Sequence, residues 1–111
     1  MKYVLLICDD ETASPTNEEL AADPAHRAWL ADLERRGGAL VGARLRPVVD
    51  ATTVRVREGE TLVSDGPFAE TKDFVGGLVM VECAHLDEAI EIAAGHPYAR
   101  WGGIEIRPVW E

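Results

Sequence analysis

Lys2-Tyr3-Val4-Leu5-Leu6-Ile7-Cys8 is apolar on both alternating faces, with Tyr3, Leu5 and Ile7 on one and Val4, Leu6 and Cys8 on the other. A strand of this kind is buried on both sides. Gly76-Gly77-Leu78-Val79-Met80-Val81-Glu82-Cys83 repeats the pattern for most of its length. The two segments are therefore expected at the centre of one sheet, as parallel neighbours. Everything else in the chain is arranged around them.

Thr16 and Glu19 stand at capping-box spacing, so a short helix starts near Asn17. Asp23-Pro24 begins another helix, which runs to Arg36 and stops at Gly37-Gly38. Trp29, Leu30 and Leu33 form its apolar stripe, and His26 falls on the same face. Residues 39–46 read as a second strand, ended by Pro47. Residues 53–58 alternate, Val54 and Val56 against Thr53, Arg55 and Arg57, so one face is wet. Glu58-Gly59-Glu60 then turns the chain into a short strand at 61–64. His85 and Glu88 fall at N-cap and N3 of a helix over about 86–95, although His is a poor cap. The last strand, 104–110, alternates as an edge strand does.

Strand, helix, strand, hairpin, strand, helix, strand is an α+β order: a ferredoxin-like split βαβ with an inserted hairpin. Right-handed crossovers put both main helices on one sheet face. The other face is also apolar, and no helix remains to cover it. Leaving it in water costs on the order of 1.5–3 kcal/mol per large apolar side chain. The expected cover is a second copy of the chain, in a face-to-face homodimer.

The 111 residues make one domain, 1–111, of ordinary globular composition. Twenty acidic residues against eleven basic ones give a net charge of −9, which disfavours nucleic acid and anionic membranes as partners. No apolar run approaches the ~20 residues of a membrane span. The N-terminal segment reads as a strand rather than a signal peptide. Cys8 and Cys83, at the ends of strands expected to be parallel, could lie close, and are read as buried thiols. The expectation is a cytoplasmic protein without metal or cofactor.

Ser64-Asp65-Gly66-Pro67-Phe68-Ala69-Glu70-Thr71-Lys72 resembles the signature of DGPF-domain proteins, a branch of the YCII-related family. The opening strand and acidic loop, Pro24-Ala25-His26 through Gly37, Gly42 to Pro47, Leu86-Asp87-Glu88-Ala89 and Ile104 to Pro108 resemble the family's other elements. The likeness covers essentially the whole chain. It implies a dimeric α/β-barrel of ferredoxin-like halves. It also implies an association of some members with extracytoplasmic-function sigma factors, and, among broader relatives, cofactor-free enzymes acting on small organic molecules through a His–Asp pair.

By that resemblance the histidine is His26, eleven residues before Gly37. The aspartate belongs to an Asp-Pro-aromatic turn after the second main helix, where this chain has His96-Pro97-Tyr98. A second histidine cannot charge-stabilise an imidazole as a carboxylate does. Asp65, held at a strand end by Gly66-Pro67, is the candidate substitute and pairs with His26 as the candidate catalytic residues. Asp9 and Asp10 are second choices. Asp9, Phe68, Glu70 and His96 are the candidate ligand-binding residues.

Each has a plainer reading. His26 could be a general base, its ordinary pKa near 6.5 suiting proton transfer at neutral pH, or a core histidine beside Trp29. Asp65 could serve only its turn. Glu70 and Lys72 bracket a polar substrate or form a surface ion pair. Phe68 is read as a core plug rather than a stacking platform. Tyr98, Trp101 and Trp110 serve a dimer contact or a pocket wall. Arg44, Arg46, Arg55 and Arg57 read as a solvated sheet edge facing the acidic N-terminal loop. Scattered histidines without a carboxylate at ligand spacing are weak grounds for a metal.

The leading functional reading is a homodimer with one pocket per subunit, lined by His26, Asp65 and the loop after Asp9. It binds a small organic molecule and acts on it by acid–base chemistry. The alternatives are a non-catalytic regulatory or accessory module linked to a sigma factor, and a structural dimer without ligand.

Overall fold

Capping chemistry fixes where the helices begin. In the computed structural model, which describes residues 1–12, 14–69 and 73–111, the order is β1 Lys2–Asp9, α1 Asn17–Ala22, α2 Pro24–Arg35, β2 Val41–Arg44, β3 Thr52–Arg57, β4 Glu60–Asp65, β5 Phe74–Glu82, α3 Leu86–Ala94 and β6 Gly103–Pro108. Short 3-10 turns occupy Val48–Asp50 and Pro97–Ala99. Thr16 Oγ1 accepts from the Glu19 N–H, and Glu19 Oε1 accepts from the Thr16 N–H, both at 3.1 Å. Asp23 Oδ1 accepts from the Ala25 N–H at 2.9 Å and starts α2. Gly37 and Gly38, at φ 113° and 81°, end it. His85, despite its low ranking as a cap, accepts through Nδ1 from the Glu88 N–H at 3.3 Å.

Two antiparallel sheets result: four strands in the order β2-β5-β1-β6, and the hairpin β3-β4. With the hairpin set aside, this is the strand order of a split βαβ. One expectation is corrected. β1 and β5 are central neighbours but antiparallel, with Lys2 opposite Glu82 and Asp9 opposite Phe74. A split βαβ keeps its parallel strands one apart, so the strand between them must run the other way. For the same reason the cysteines are at opposite ends of the pair, and only Cys83 is buried, Cys8 being half-buried. Cys8 pairs with Val75 at one end, Cys83 follows Glu82 at the other, and both are free thiols.

β5 carries an extra residue. Ile7 faces Gly77 while Cys8 faces Val75, so Gly76 is bulged out of the ladder. The Gly-Gly pair therefore marks a bulge within β5, not the start of the strand, which begins at Phe74.

Both main helices cover one sheet face. Tyr3, Leu5, Val79 and Val81 from the sheet pack with Trp29 and Leu33 of α2 and Ala89 and Ile92 of α3. Leu5 and Val81 are fully enclosed. The opposite face carries Val4, Leu6, Leu78 and Met80, all half-buried, and Val41, which is exposed. On the hairpin, Val54, Val56 and Val63 are exposed as well. The chain is a slab of 49 × 36 × 20 Å with a Cα radius of gyration of 15.7 Å, against about 13 Å for a compact domain of this length. Among the described residues no helix is long and apolar enough to cross a membrane.

Candidate functional site

The site forms where the third residue of α2 meets the turn after α3. Trp29 fixes the helix. Its indole Nε1–H donates to the Ile92 carbonyl at 2.7 Å, a buried bond joining α2 to α3. One helical turn before Trp29, His26 is carried toward the same junction, ring centroids 6.3 Å apart. From the other side comes His96, 5% exposed. Its Nδ1 accepts from the Tyr98 N–H at 3.0 Å and so caps the Pro97–Ala99 turn. Accepting at Nδ1, the neutral ring carries its proton on Nε2.

The two imidazoles meet edge to face, centroids 5.8 Å apart at 82°. His96 is also edge-on to Trp29 at 4.7 Å and to Tyr98 at 5.4 Å. Burial, with a smaller contribution from the neighbouring His26, pushes the His96 pKa down to about 4. His26 is also held below the ordinary imidazole value. Burial is the main cause, Asp23 opposes it and Arg44 adds to it. Both rings are therefore predominantly neutral at pH 7. His26 Nδ1 is buried and has no hydrogen-bond partner among the described residues.

A cavity of about 340 Å³ opens beside these rings, walled by His26, Trp29, Leu33, Gly77, His96 and Tyr98, with Arg44 at its edge. A second cavity of about 380 Å³ adjoins it and shares Arg44, Gly76 and Tyr98. Asp9, Glu11, Asn17 and Arg46 line this second space. Tyr98 lines both, and the pKa of its hydroxyl is raised by burial first and by the charge of Asp9 next. Arg44 reaches back to the N-terminal loop, donating to Asn17 Oδ1 at 2.5 Å and to the Pro15 carbonyl.

His26 and His96 are thus together. Asp9 is buried at the end of β1, accepts from the Glu11 N–H at 3.0 Å, and lines the adjoining cavity. Asp10 caps the next turn, accepting from the Thr12 N–H and hydroxyl at 3.0 and 2.7 Å. Asp65 is not brought to His26 within the chain. It ends β4 opposite Thr52, is exposed, and is absent from the wall of the His26 cavity. The loop that follows is tied to the hairpin, with the Gly66 N–H donating to the Ala51 carbonyl and the Thr53 hydroxyl to the Gly66 carbonyl, both at 2.8 Å. Phe68 is not a core plug. It is 74% exposed, and the Arg55 guanidinium lies 4.8 Å from its ring centroid. The hairpin forms a sheet of its own, so no core reaches Phe68. Glu70 and Lys72 lie outside the described residues.

Arg44 stands where the sequence reading placed it, exposed on the edge strand β2 and against the N-terminal loop, although its partners there are a neutral amide and a carbonyl. Its place at the cavity and its hydrogen bond with Tyr98 were not read from the sequence. The available signal was spacing: Arg44 is two residues from Gly42, hence on the same face of β2, which pairs with Val79 and Gly77 of the core side. Among the described residues no group of three or more His, Cys, Asp or Glu side chains could hold a metal ion.

The family model of the YCII-related domain matches residues 1–111, and the chain belongs to that family. It is also similar to an uncharacterised protein of Rhizobium meliloti (strain 1021), 46% identical over 69 residues, a match covering 60% of this chain and 56% of the relative. The match thus spans little more than half the length of that protein.

Proposed function

We propose that this YCII-related protein is a homodimer that binds a small organic molecule in the cavity beside His26 and acts on it by acid–base chemistry, without a cofactor. The observation that carries the reading is the meeting of His26 and His96, ring centroids 5.8 Å apart, at the wall of a largely apolar cavity of about 340 Å³. A neutral imidazole can take a proton from a weakly acidic group held beside it. Apolar walls with a few convergent polar groups are what small-molecule sites have in common. His96 Nε2–H and the Tyr98 hydroxyl are the donors available to orient an oxygen of the ligand. Dimerisation is supported by the uncovered face around Leu6 and Leu78, and by a slab broader than a compact monomer requires.

A second reading is favoured by one residue. His96 stands where the resemblance implies an aspartate, so His26 lacks the carboxylate that would stabilise its charged form. On this reading the protein is a non-catalytic regulatory or accessory module, associated with an extracytoplasmic-function sigma factor, and uses the cavity for ligand sensing.

The test is an NMR screen of small cyclic and aromatic molecules, followed through the Trp29 indole N–H and the His26 ring. Molecules that shift both are expected. A folded protein in which none does so at millimolar concentration contradicts the cavity reading. For bound molecules with an acidic C–H, uptake of solvent deuterium should be catalysed by the wild type and lost in His26→Gln. Binding without any exchange favours the second reading.

A further inference from the structure

We infer that the His26 cavity selects organic anions, specifically a flat apolar body bearing one carboxylate, with Arg44 as the residue that reads the charge. The inference rests on the ligand-cavity reading and names the class of molecule that cavity takes.

Charge is distributed unevenly over the wall. Among the described residues lining the cavity, Arg44 is the only one with a permanent charge, and none is a carboxylate. Of the acidic residues of this region, Asp9 and Glu11 line the adjoining space, and Asp23, whose charge reaches His26 and Tyr98, is outside the wall of this cavity. An anion in the His26 cavity therefore meets one cation and no lining anion, whereas a cation meets only Arg44. The acceptors that Arg44 already has are neutral: Asn17 Oδ1 and the Pro15 carbonyl. No carboxylate among the described residues forms an ion pair with it. The Tyr98 hydroxyl is a third neutral partner, and three neutral partners still leave part of a five-donor guanidinium fork, and its charge, for a ligand. The rest of the cavity suits a flat apolar body, since Trp29, Leu33, Val79 and the glycines of β5 supply apolar contact and backbone without bulky side chains at Gly76 and Gly77.

The experiment measures affinity of the full-length protein for three isosteric probes, 2-naphthoate, 2-naphthamide and 2-naphthylmethylamine, from NMR shifts at the Trp29 indole and the His26 ring. The expected result is that naphthoate binds about tenfold more tightly than naphthamide, with the amine weakest. Arg44→Gln should abolish the preference, and Arg44→Lys should keep most of it while losing the fork to Asn17 and Pro15. Equal binding of acid and amide at these two residues leaves the cavity standing and overturns the anion assignment. Equal loss in the Gln and Lys variants also overturns it, since Arg44 would then act by holding the loop and not by its charge. No shift at either residue with any probe overturns the cavity reading itself.

Discussion

The ring of His96 stands edge-on to the ring of His26, 5.8 Å away, in the place where the family resemblance implies an aspartate. An uncharged neighbour does nothing to favour the protonated form of His26. A carboxylate there would favour it and raise the His26 pKa. His96→Asp can keep the cap on the Tyr98 N–H, because a carboxylate oxygen accepts that bond as Nδ1 does. The variant is expected to raise the His26 titration midpoint by about one pH unit, equivalent to ~1.4 kcal/mol. Asp65→Asn is expected to leave it where it is. NMR of the ring protons reads both.

Stability should fall as the solution is acidified, in a window set by His96. Its folded-state pKa is depressed to about 4, whereas an unfolded histidine titrates near 6.5. Between these values the unfolded chain binds the proton and the folded chain does not. The contribution is therefore complete above pH ~6.5 and is lost as pH falls toward 4. Urea denaturation at pH 7 and pH 4.5 should show His96→Asn losing less than the wild type, by on the order of 2 kcal/mol after allowance for solvent screening. Parallel losses in the two proteins would place the acid sensitivity elsewhere.

Gly102 holds the turn that carries Tyr98 against β1. A Cβ built there would lie 2.0 Å from the Cys8 carbonyl oxygen and 3.2 Å from the Asp9 Cα, both backbone atoms without freedom to move. Gly102→Ala should therefore cost about 1–3 kcal/mol in urea denaturation. It should also weaken naphthoate binding, because relief of the clash displaces Tyr98.

The uncovered sheet face gives a prediction about assembly. Leu6 and Leu78 are cross-strand partners at its centre. In sedimentation velocity the wild type should run at twice the chain mass. Leu6→Lys should run as a folded monomer, since a dimer would bury two ammonium groups at the contact. A folded dimer from Leu6→Lys would rule this face out as the interface.

Local chemistry was legible in the residues. The Thr16–Glu19 box, the Asp23-Pro24 start and the Gly37-Gly38 stop each report a short-range constraint, and each appears where expected. The direction of β5 relative to β1 was misread because two-faced burial says that a strand is central and nothing about which way it runs. Phe68 was misread because a lone aromatic beside Gly-Pro has the same composition whether or not a core is within reach. His26 could be found by helical spacing, and His96 only through the resemblance, since seventy residues separate it from His26. Arg44 was visible as a charge, but its place beside Tyr98 depends on the β2–β5 pairing.

The most direct test of the account is an NMR pH titration of both imidazoles in the unmodified protein, read through ring 15N and 1H shifts. The account predicts a His26 midpoint below 6.5, a His96 midpoint near 4, and a neutral His96 protonated at Nε2 with Nδ1 accepting from Tyr98. A His26 midpoint at or above 6.5, or a His96 proton on Nδ1, would contradict the neutral pair on which the proposed site is built.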